Sequence, residues 1–273
     1  MQIQPRRVAT SLTELGDFWI RQQLGAHASV LRTLAGKNEG DLGHEHKATV
    51  WVVGDEVLAR RDPDGWLRWA VARLEDWGLM LDSDPKLPSW PSLVVERSVH
   101  GSWWADPDVH LINAMGTRLT QHPDVVHSML VSSKLTCVHR RLWPAFLAVA
   151  LARDDWKLEG LSSGARSVWD RLQHSERLHA DEPGLPTESA KTNGRFMREL
   201  EGRLLCAGGS IHTPRGSHAK YVMTWEAWMG DHSLLPPLIS ATAGRSQLAD
   251  CVERLNLEFG GRGGLPWGRT TRS

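Results

Sequence analysis

The sequence predicts a mainly helical α+β protein that is organised around one central buried helix. The first observation is that the stretch from Ala145 to Ala152 contains no polar residue and follows Pro144, which favours the first turn of a helix. A helix that is apolar on every face must be covered on every face. The second observation is that other segments carry apolar residues at helical spacing, while short alternating runs between turn residues predict β-hairpins. We therefore place Pro144 to Arg153 at the centre of the molecule.

The first part of the chain, residues 1–81, is predicted to be a unit of helices and one hairpin. Ser11 begins a capping box, in which a hydroxyl and a glutamate three residues later satisfy the first helical N–H groups. The run Thr49 to Val53 is predicted to pair with Glu56 to Arg60 across a Gly-Asp turn. Asp62 is then predicted to cap a helix whose first position is a proline.

A central helical unit, residues 93–160, is predicted to follow a Pro-rich linker at residues 82–92. Within it, Leu93 to Val95 is predicted to be a short strand. Val125 to Val131 is predicted to be a short helix that precedes the central stretch.

The order helix, strand, helix, hairpin predicts a winged-helix-like unit at residues 161–229. Its second helix is predicted to span Asn193 to Leu205, and Gly208 with Gly209 to end it in a left-handed cap. The remaining segments are predicted to be a C-terminal helix at residues 230–259 and a disordered basic tail at residues 260–273.

The composition limits the classes of function that the chain can have. Lysine plus arginine equals aspartate plus glutamate at 32 each, so a nucleic-acid contact would have to come from a local basic patch. The N-terminus shows no apolar signal-peptide core and no apolar run is long enough to span a membrane. Three distant cysteines and no CxxC motif predict reduced, buried thiols in a cytoplasmic protein. We predict no cofactor and no bound metal.

Two basic groups are the candidate contacts for nucleic acid or another anion. One lies directly before the central helix and the other lies in the winged-helix-like unit. Their members are Lys134, His139, Arg140, Arg141, Arg195, Arg198, Arg215 and Lys220. Guanidinium and imidazole groups at a helix N-terminus suit phosphate or carboxylate. The alternative is that the arginines pair with carboxylates such as Asp154 and Asp155. In addition, residues 161–229 hold nine basic against eight acidic residues, a small excess for a duplex-binding surface.

Other side chains allow further chemistry, each with a structural alternative. Trp103 and Trp104 are candidates for stacking on a base or a flat ligand, against burial in the core. Cys137 and His139 alternate on a predicted strand and could form a thiolate–imidazole pair, against plain core packing. His44-Glu45-His46 could supply part of a metal site, but the sequence shows no second motif that would supply the remaining ligands.

Several blocks of the sequence resemble segments of a family of uncharacterised bacterial proteins. They are GSWWADP at 101–107, KLTCVHRRLWPAFLAVA at 134–150, ARDDW at 152–156 and IHTPRGSHAK at 211–220. This resemblance implies no activity and no catalytic residues. The architecture is also similar to that of winged-helix proteins that process DNA, including the winged-helix DNA glycosylases, and this second likeness concerns the fold alone.

These observations lead to three hypotheses. The first is a cytoplasmic protein that binds or processes DNA through the winged-helix-like unit and the Arg/His patch. The second is a protein-interaction or regulatory module. The third is an enzyme that acts on an anionic small molecule at His139, Arg140 and Arg141, and the sequence does not decide whether the chain is an enzyme.

Overall fold

A computed structural model describes residues 63–99, 101–212 and 218–268 of the chain; for residues 210–212, 218–219 and 268 it describes only the backbone. The capping box at Ser11 and the predicted hairpin at residues 49–60 lie outside these ranges. The described residues confirm the mainly helical α+β class, with two small antiparallel sheets among the helices.

The helices are separated by short strands and turns. Their bounds are α1 Pro63–Trp77, α2 Trp90–Val95, α3 Val109–Thr120, α4 Trp143–Leu151, α5 Asp155–Leu158, α6 Ser163–Leu172, α7 Ala190–Gly202, α8 Trp225–Asp231 and α9 Ala241–Phe259. Short 3-10 turns occupy Trp103–Ala105, Arg140–Leu142 and Pro266–Gly268.

The first sheet consists of β1 Leu79–Leu81, β2 Val125–Val131 and β3 Lys134–His139, in the order β1-β3-β2. The tight connection between β2 and β3 places Ser132 and Ser133 at φ values of 54° and 58°. Positive φ at both central residues matches the right-handed twist of the strands that the connection joins. From β3 the chain passes through the 3-10 turn Arg140–Leu142 into the central helix.

The central helix α4 is buried, as the sequence predicted, with every residue from Ala145 to Ala150 buried. Helix α9 packs along it so closely that a Cβ placed on Gly244 would lie 2.5 Å from the carbonyl oxygen of Ala145. The C-terminal end of α4 is bound by the buried Lys157, whose Nζ donates to the carbonyls of Val149 and Ala150 at 2.7 Å each. An ammonium group thus satisfies carbonyls that the helix itself leaves without donors.

The second sheet consists of β4 Arg177–His179, β5 Ala207–His212 and β6 His218–Met223, in the order β4-β6-β5. Helices α6 and α7 pack together beside it over a separate apolar cluster that includes Val168, Leu178 and Met197. Lys157 also reaches the chain just after helix α7, because its Nζ lies 3.4 Å from the carbonyl oxygen of Leu204.

Two secondary-structure predictions were wrong. Leu93 to Val95 belongs to helix α2 and not to a strand, because Pro91 begins a helical turn whose residues are all buried. Val125 to Val131 is strand β2 and not a helix. Its apolar residues fit either period, and antiparallel pairing with β3 decides the outcome, with Val126 opposite Val138.

The predicted left-handed cap at Gly208 and Gly209 was also wrong, since both residues lie inside strand β5. Helix α7 ends at Gly202, and Leu204 takes the left-handed conformation with φ 53°. The N–H of Leu205 then bonds to the carbonyl of Leu200 at 3.0 Å, which is the pattern of a Schellman motif.

Part of the tail that was predicted to be disordered lies against the core. Leu265 is buried, and the Asn256 side chain accepts from the N–H of Gly263 at 2.6 Å and donates to its carbonyl at 2.9 Å. Residues 269–273 lie outside the described ranges. The division of the chain into the units given above stays a prediction.

Candidate functional site

The outer face of helix α7 carries a line of three basic side chains. Lys191, Arg195 and Arg198 are all exposed, and none forms an ion pair with a described residue. Residues three and four positions apart lie on the same face of a helix, so the three charges follow one line along the axis. The line runs over about 10 Å at 1.5 Å per residue.

The opposite face of α7 fixes the orientation of this basic line. Met197 and Leu200 are buried against the second sheet. At the N-terminal end, the Ser189 hydroxyl accepts from the N–H of Thr192, and Asn193 is buried. The Asn193 amide donates to the carbonyls of Ala180 and Thr187 at 3.0 and 2.8 Å. These contacts hold the helix while leaving its basic face open to solvent.

Lys220 does not join this exposed line. Its ammonium lies 2.6 Å from the carboxylate of Glu201, whose side chain is only 9% exposed. Burial raises the pKa of Glu201, and the adjacent Lys220 acts in the opposite direction. Glu201 also lies over Gly208 of β5, where any Cβ would overlap the carboxylate. The pair therefore joins α7 to the second sheet and leaves Lys220 little capacity for a further anion.

His127 connects strand β5, over which Glu201 packs, to the first sheet. The Nε2 atom of His127 on β2 lies 3.2 Å from the carbonyl oxygen of Gly208 on β5. Burial lowers the pKa of His127, and the positive charge of Lys220 lowers it further. The neutral imidazole is thus favoured at the place where the edge strands of the two sheets meet.

The other basic residues of the predicted winged-helix-like unit have different positions. The Arg203 side chain donates to the main-chain carbonyl of Trp156 at 2.6 Å. Arg215 lies outside the described residues. Lys191 was not among the predicted contacts, because the predicted helix began at Asn193. Its spacing of four residues before Arg195 was the signal that could have found it.

The basic residues before the central helix are each engaged. Lys134 pairs with Asp84 at 2.9 Å, and Arg140 pairs with Asp124 at 2.9 Å. His139 is buried, and its Nδ1 atom accepts from the N–H of Arg141 at 3.4 Å. Neither arginine pairs with Asp154 or Asp155, the carboxylates that the sequence suggested. These groups do not converge on a common open cleft.

Arg141 binds the end of helix α1. Its Nε donates to the carbonyl of Glu75 and its Nη2 to that of Asp76 at 3.1 Å. From α9, Arg254 donates to the carbonyl of Trp77 at 2.6 Å, and the Cys251 thiol lies 3.2 Å from the same oxygen. Cationic side chains at a helix C-terminus satisfy its last carbonyls and complement its dipole. The role of Arg141 here is structural.

The structure does not favour the thiolate–imidazole pair that was considered for Cys137 and His139. Cys137 is buried, and burial raises the pKa of its thiol well above the ordinary range. A nucleophilic cysteine needs its thiolate, which an apolar environment disfavours. All three cysteines are buried free thiols.

Trp103 and Trp104 form a stacked pair. Their ring centroids lie 4.1 Å apart with an interplanar angle of 23°. Trp103 is 8% exposed and belongs to the core, whereas Trp104 is 66% exposed. An extended chain would point the rings to opposite faces, but the 3-10 turn places them on the same side.

Within the described ranges, no group of three or more His, Cys, Asp or Glu side chains is placed to hold a metal ion. The motif His44-Glu45-His46 lies outside those ranges. No helix among the described residues is long and apolar enough to span a bilayer. No family model, no curated protein and no solved structure matches the chain.

Proposed function

We propose that the chain binds DNA through the exposed face of helix α7. The observation that carries this proposal is the line of Lys191, Arg195 and Arg198, which are exposed and form no ion pair with a described residue. Unpaired basic side chains in one line suit consecutive phosphates, which position a protein on nucleic acid. The line supplies a local patch on a chain whose overall formal charge is zero.

The topology around α7 supports the same proposal. Helix α6, strand β4, helix α7 and the β5–β6 hairpin follow one another in the order of a winged-helix unit. In helix-turn-helix proteins the second helix of the motif enters the major groove. Arg215 lies in the connection between β5 and β6, which would be the wing in this interpretation.

The structure narrows the set of proposed contacts. Arg195, Arg198 and Arg215 are retained, and Lys191 is added. Lys220, Lys134, Arg140 and Arg141 are withdrawn, because each is engaged by a carboxylate or by main-chain carbonyls. No reaction on DNA is assigned to any of the described residues, and the proposal is one of binding alone.

Fluorescence anisotropy with a labelled duplex, measured at several salt concentrations, tests the proposal. With four phosphate contacts, the logarithm of the affinity is expected to fall with the logarithm of the salt concentration at a slope of about −3.6. The variant Lys191→Ala/Arg195→Ala/Arg198→Ala is expected to lose most of the affinity and most of the slope.

The matched control is Lys86→Ala/Arg153→Ala/Arg262→Ala, which removes three exposed positive charges from other parts of the described surface. It is expected to keep at least half of the affinity. Equal losses in the two variants would show that only the bulk charge matters. An absence of salt-dependent binding to duplex DNA would overturn the proposal.

A protein-interaction role is the second candidate. Leu235 and Leu238 are 86% and 103% exposed and flank Pro236-Pro237, so an apolar segment projects from the surface. Exposed apolar segments often mark contacts with other proteins. A defined partner that stays bound after nuclease treatment and is lost from Leu235→Ser/Leu238→Ser would favour this role.

A further inference from the structure

The Trp103–Trp104 pair is a rigid indole surface outside the proposed DNA-binding face. Trp103 is anchored in the core and covers one face of the Trp104 ring at 4.1 Å. Trp104 remains 66% exposed. A ring that is held from one side and open to solvent over most of its area offers a ready stacking surface, because little conformational freedom is lost when a ligand binds.

The turn that carries Trp104 is fixed by its own contacts. The N–H of Asp106 bonds to the carbonyl of Trp103 at 3.0 Å. The Asp106 carboxylate accepts hydrogen bonds from both terminal nitrogens of Arg97, at 2.8 and 2.6 Å. Ser83 also donates to the carbonyl of Gly101 at 3.2 Å. The indole surface is therefore held by the main chain and by a bidentate ion pair.

The segment that carries this surface contains more Asp and Glu than Lys and Arg. The segment from residue 96 to residue 110 carries three acidic residues, Glu96, Asp106 and Asp108, against one arginine, Arg97, and no lysine, and it also contains His100 and His110. Both terminal nitrogens of Arg97 are engaged, since Nη1 bonds to Asp106 and Nη2 reaches Asp108 at 3.2 Å as well as Asp106. This composition favours a cationic ligand over a phosphate-bearing one, in contrast to the basic face of α7.

Asp108 retains capacity for a further donor. Its side chain is 53% exposed, and only its Oδ2 atom engages Arg97. A carboxylate accepts several hydrogen bonds, so Oδ1 is open to an incoming N–H group. Asp108 follows Trp104 by four residues in a tight turn, in which the N–H of Val109 bonds to the carbonyl of Asp106 at 3.0 Å.

We propose that Trp104 and Asp108 form a binding site for an arginine side chain of a partner polypeptide. The planar guanidinium would stack on the open face of Trp104 and donate to Asp108. Indole is the strongest aromatic partner for a cation, and guanidinium combines stacking with forked donation in a way that an ammonium cannot.

The experiment titrates the full chain with three blocked tripeptides of the form Gly-X-Gly and follows the indole N–H resonances by NMR. X is arginine, citrulline or lysine; citrulline has the planar shape of arginine without its charge. The resonance of Trp104 is the one that disappears in Trp104→Phe. Arginine is expected to shift this resonance at lower concentration than lysine or citrulline, by about two- to fivefold.

Two further variants test whether binding of the arginine peptide depends on the Asp108 carboxylate. Asp108→Asn is expected to lower the affinity for the arginine peptide by about two- to fivefold. Asp250→Asn, an equal charge change at another exposed position, is expected to leave this affinity unchanged. Equal responses to arginine and citrulline would overturn the role of charge, and equal responses to arginine and lysine would overturn the role of the planar fork. An unresponsive Trp104 resonance would overturn the whole proposal, without bearing on DNA binding by α7.

Discussion

The carboxylate of Glu201 on α7 and the ammonium of Lys220 on β6 lie 2.6 Å apart beneath the surface, with the carboxylate packed over Gly208. A charge that is buried with its partner is tolerated, but a buried charge that loses its partner is costly. This relationship fixes the helix that carries the basic line to the sheet on which it rests.

We expect Lys220→Met to lower the free energy of unfolding by about 3 kcal/mol, because it leaves Glu201 buried without its counter-ion. The measurement is urea denaturation at pH 7. Glu201→Gln/Lys220→Met is the control, and its loss should be smaller than the sum of the two single losses. Strict additivity would mean that the two side chains do not interact.

Lys157 makes stability depend on pH. Burial lowers its pKa from 10.5 to about 8, although it is bonded to the carbonyls at the end of α4. Between pH 8 and 10.5 the unfolded chain binds this proton and the folded protein does not, so stability is expected to rise with pH in that window. The rise from this one group is about 3 kcal/mol.

The measurement compares unfolding free energies of the wild type and Lys157→Met at several pH values from 7 to 10.5. The difference between the two proteins isolates Lys157 from other groups that titrate in the same range. Its change with pH should follow the rise described above. A difference that stays constant over this range would show that the Lys157 ammonium is not destabilised by burial.

Gly244 sets the distance between the two helices at the centre of the molecule. A Cβ at this position would lie 2.5 Å from the main-chain oxygen of Ala145, which cannot move aside as a flexible side chain can. We expect Gly244→Ala to lower the free energy of unfolding by about 1–3 kcal/mol, because α9 must shift away from α4.

Gly202→Ala is the matched control for this change, since nothing lies within 4 Å of a Cβ at that helical position. It is expected to be neutral or to stabilise by about 0.5–1 kcal/mol, because alanine restricts the unfolded chain more than glycine does. Thermal unfolding of both variants gives the comparison. Equal effects would mean that the contact between α4 and α9 adapts freely.

The features that could be predicted from the sequence are those that local patterns determine. The uniform apolar run after Pro144 was sufficient to identify the buried helix α4. Strand β2 was missed because the apolar residues of Val125–Val131 fit a helical stripe as well as a strand, and pairing with β3 decided between them. That pairing depends on the register between two strands and leaves no signal in the segment itself.

The candidate site shows the same limit. The exposed line of α7 could be read from the spacing of Arg195 and Arg198, which is local. The engagement of Arg141 by the carbonyls of α1, and of Lys220 by Glu201, could not be read, because the partners are distant in sequence. The partner of Arg141 is moreover a main-chain carbonyl. Every residue has one, so the sequence gives no signal for it.

The end of helix α1 is held by Arg141 and by Arg254 and Cys251 of α9, so the first described helix is completed by the last one. During synthesis the ribosome releases Trp77 long before Arg254. The carbonyl of Trp77 therefore meets the Arg254 donor only after the next 177 residues have been added. A chain that is truncated before α9 would keep the donors of Arg141 at this helix end but lose both Arg254 and Cys251 at the carbonyl of Trp77.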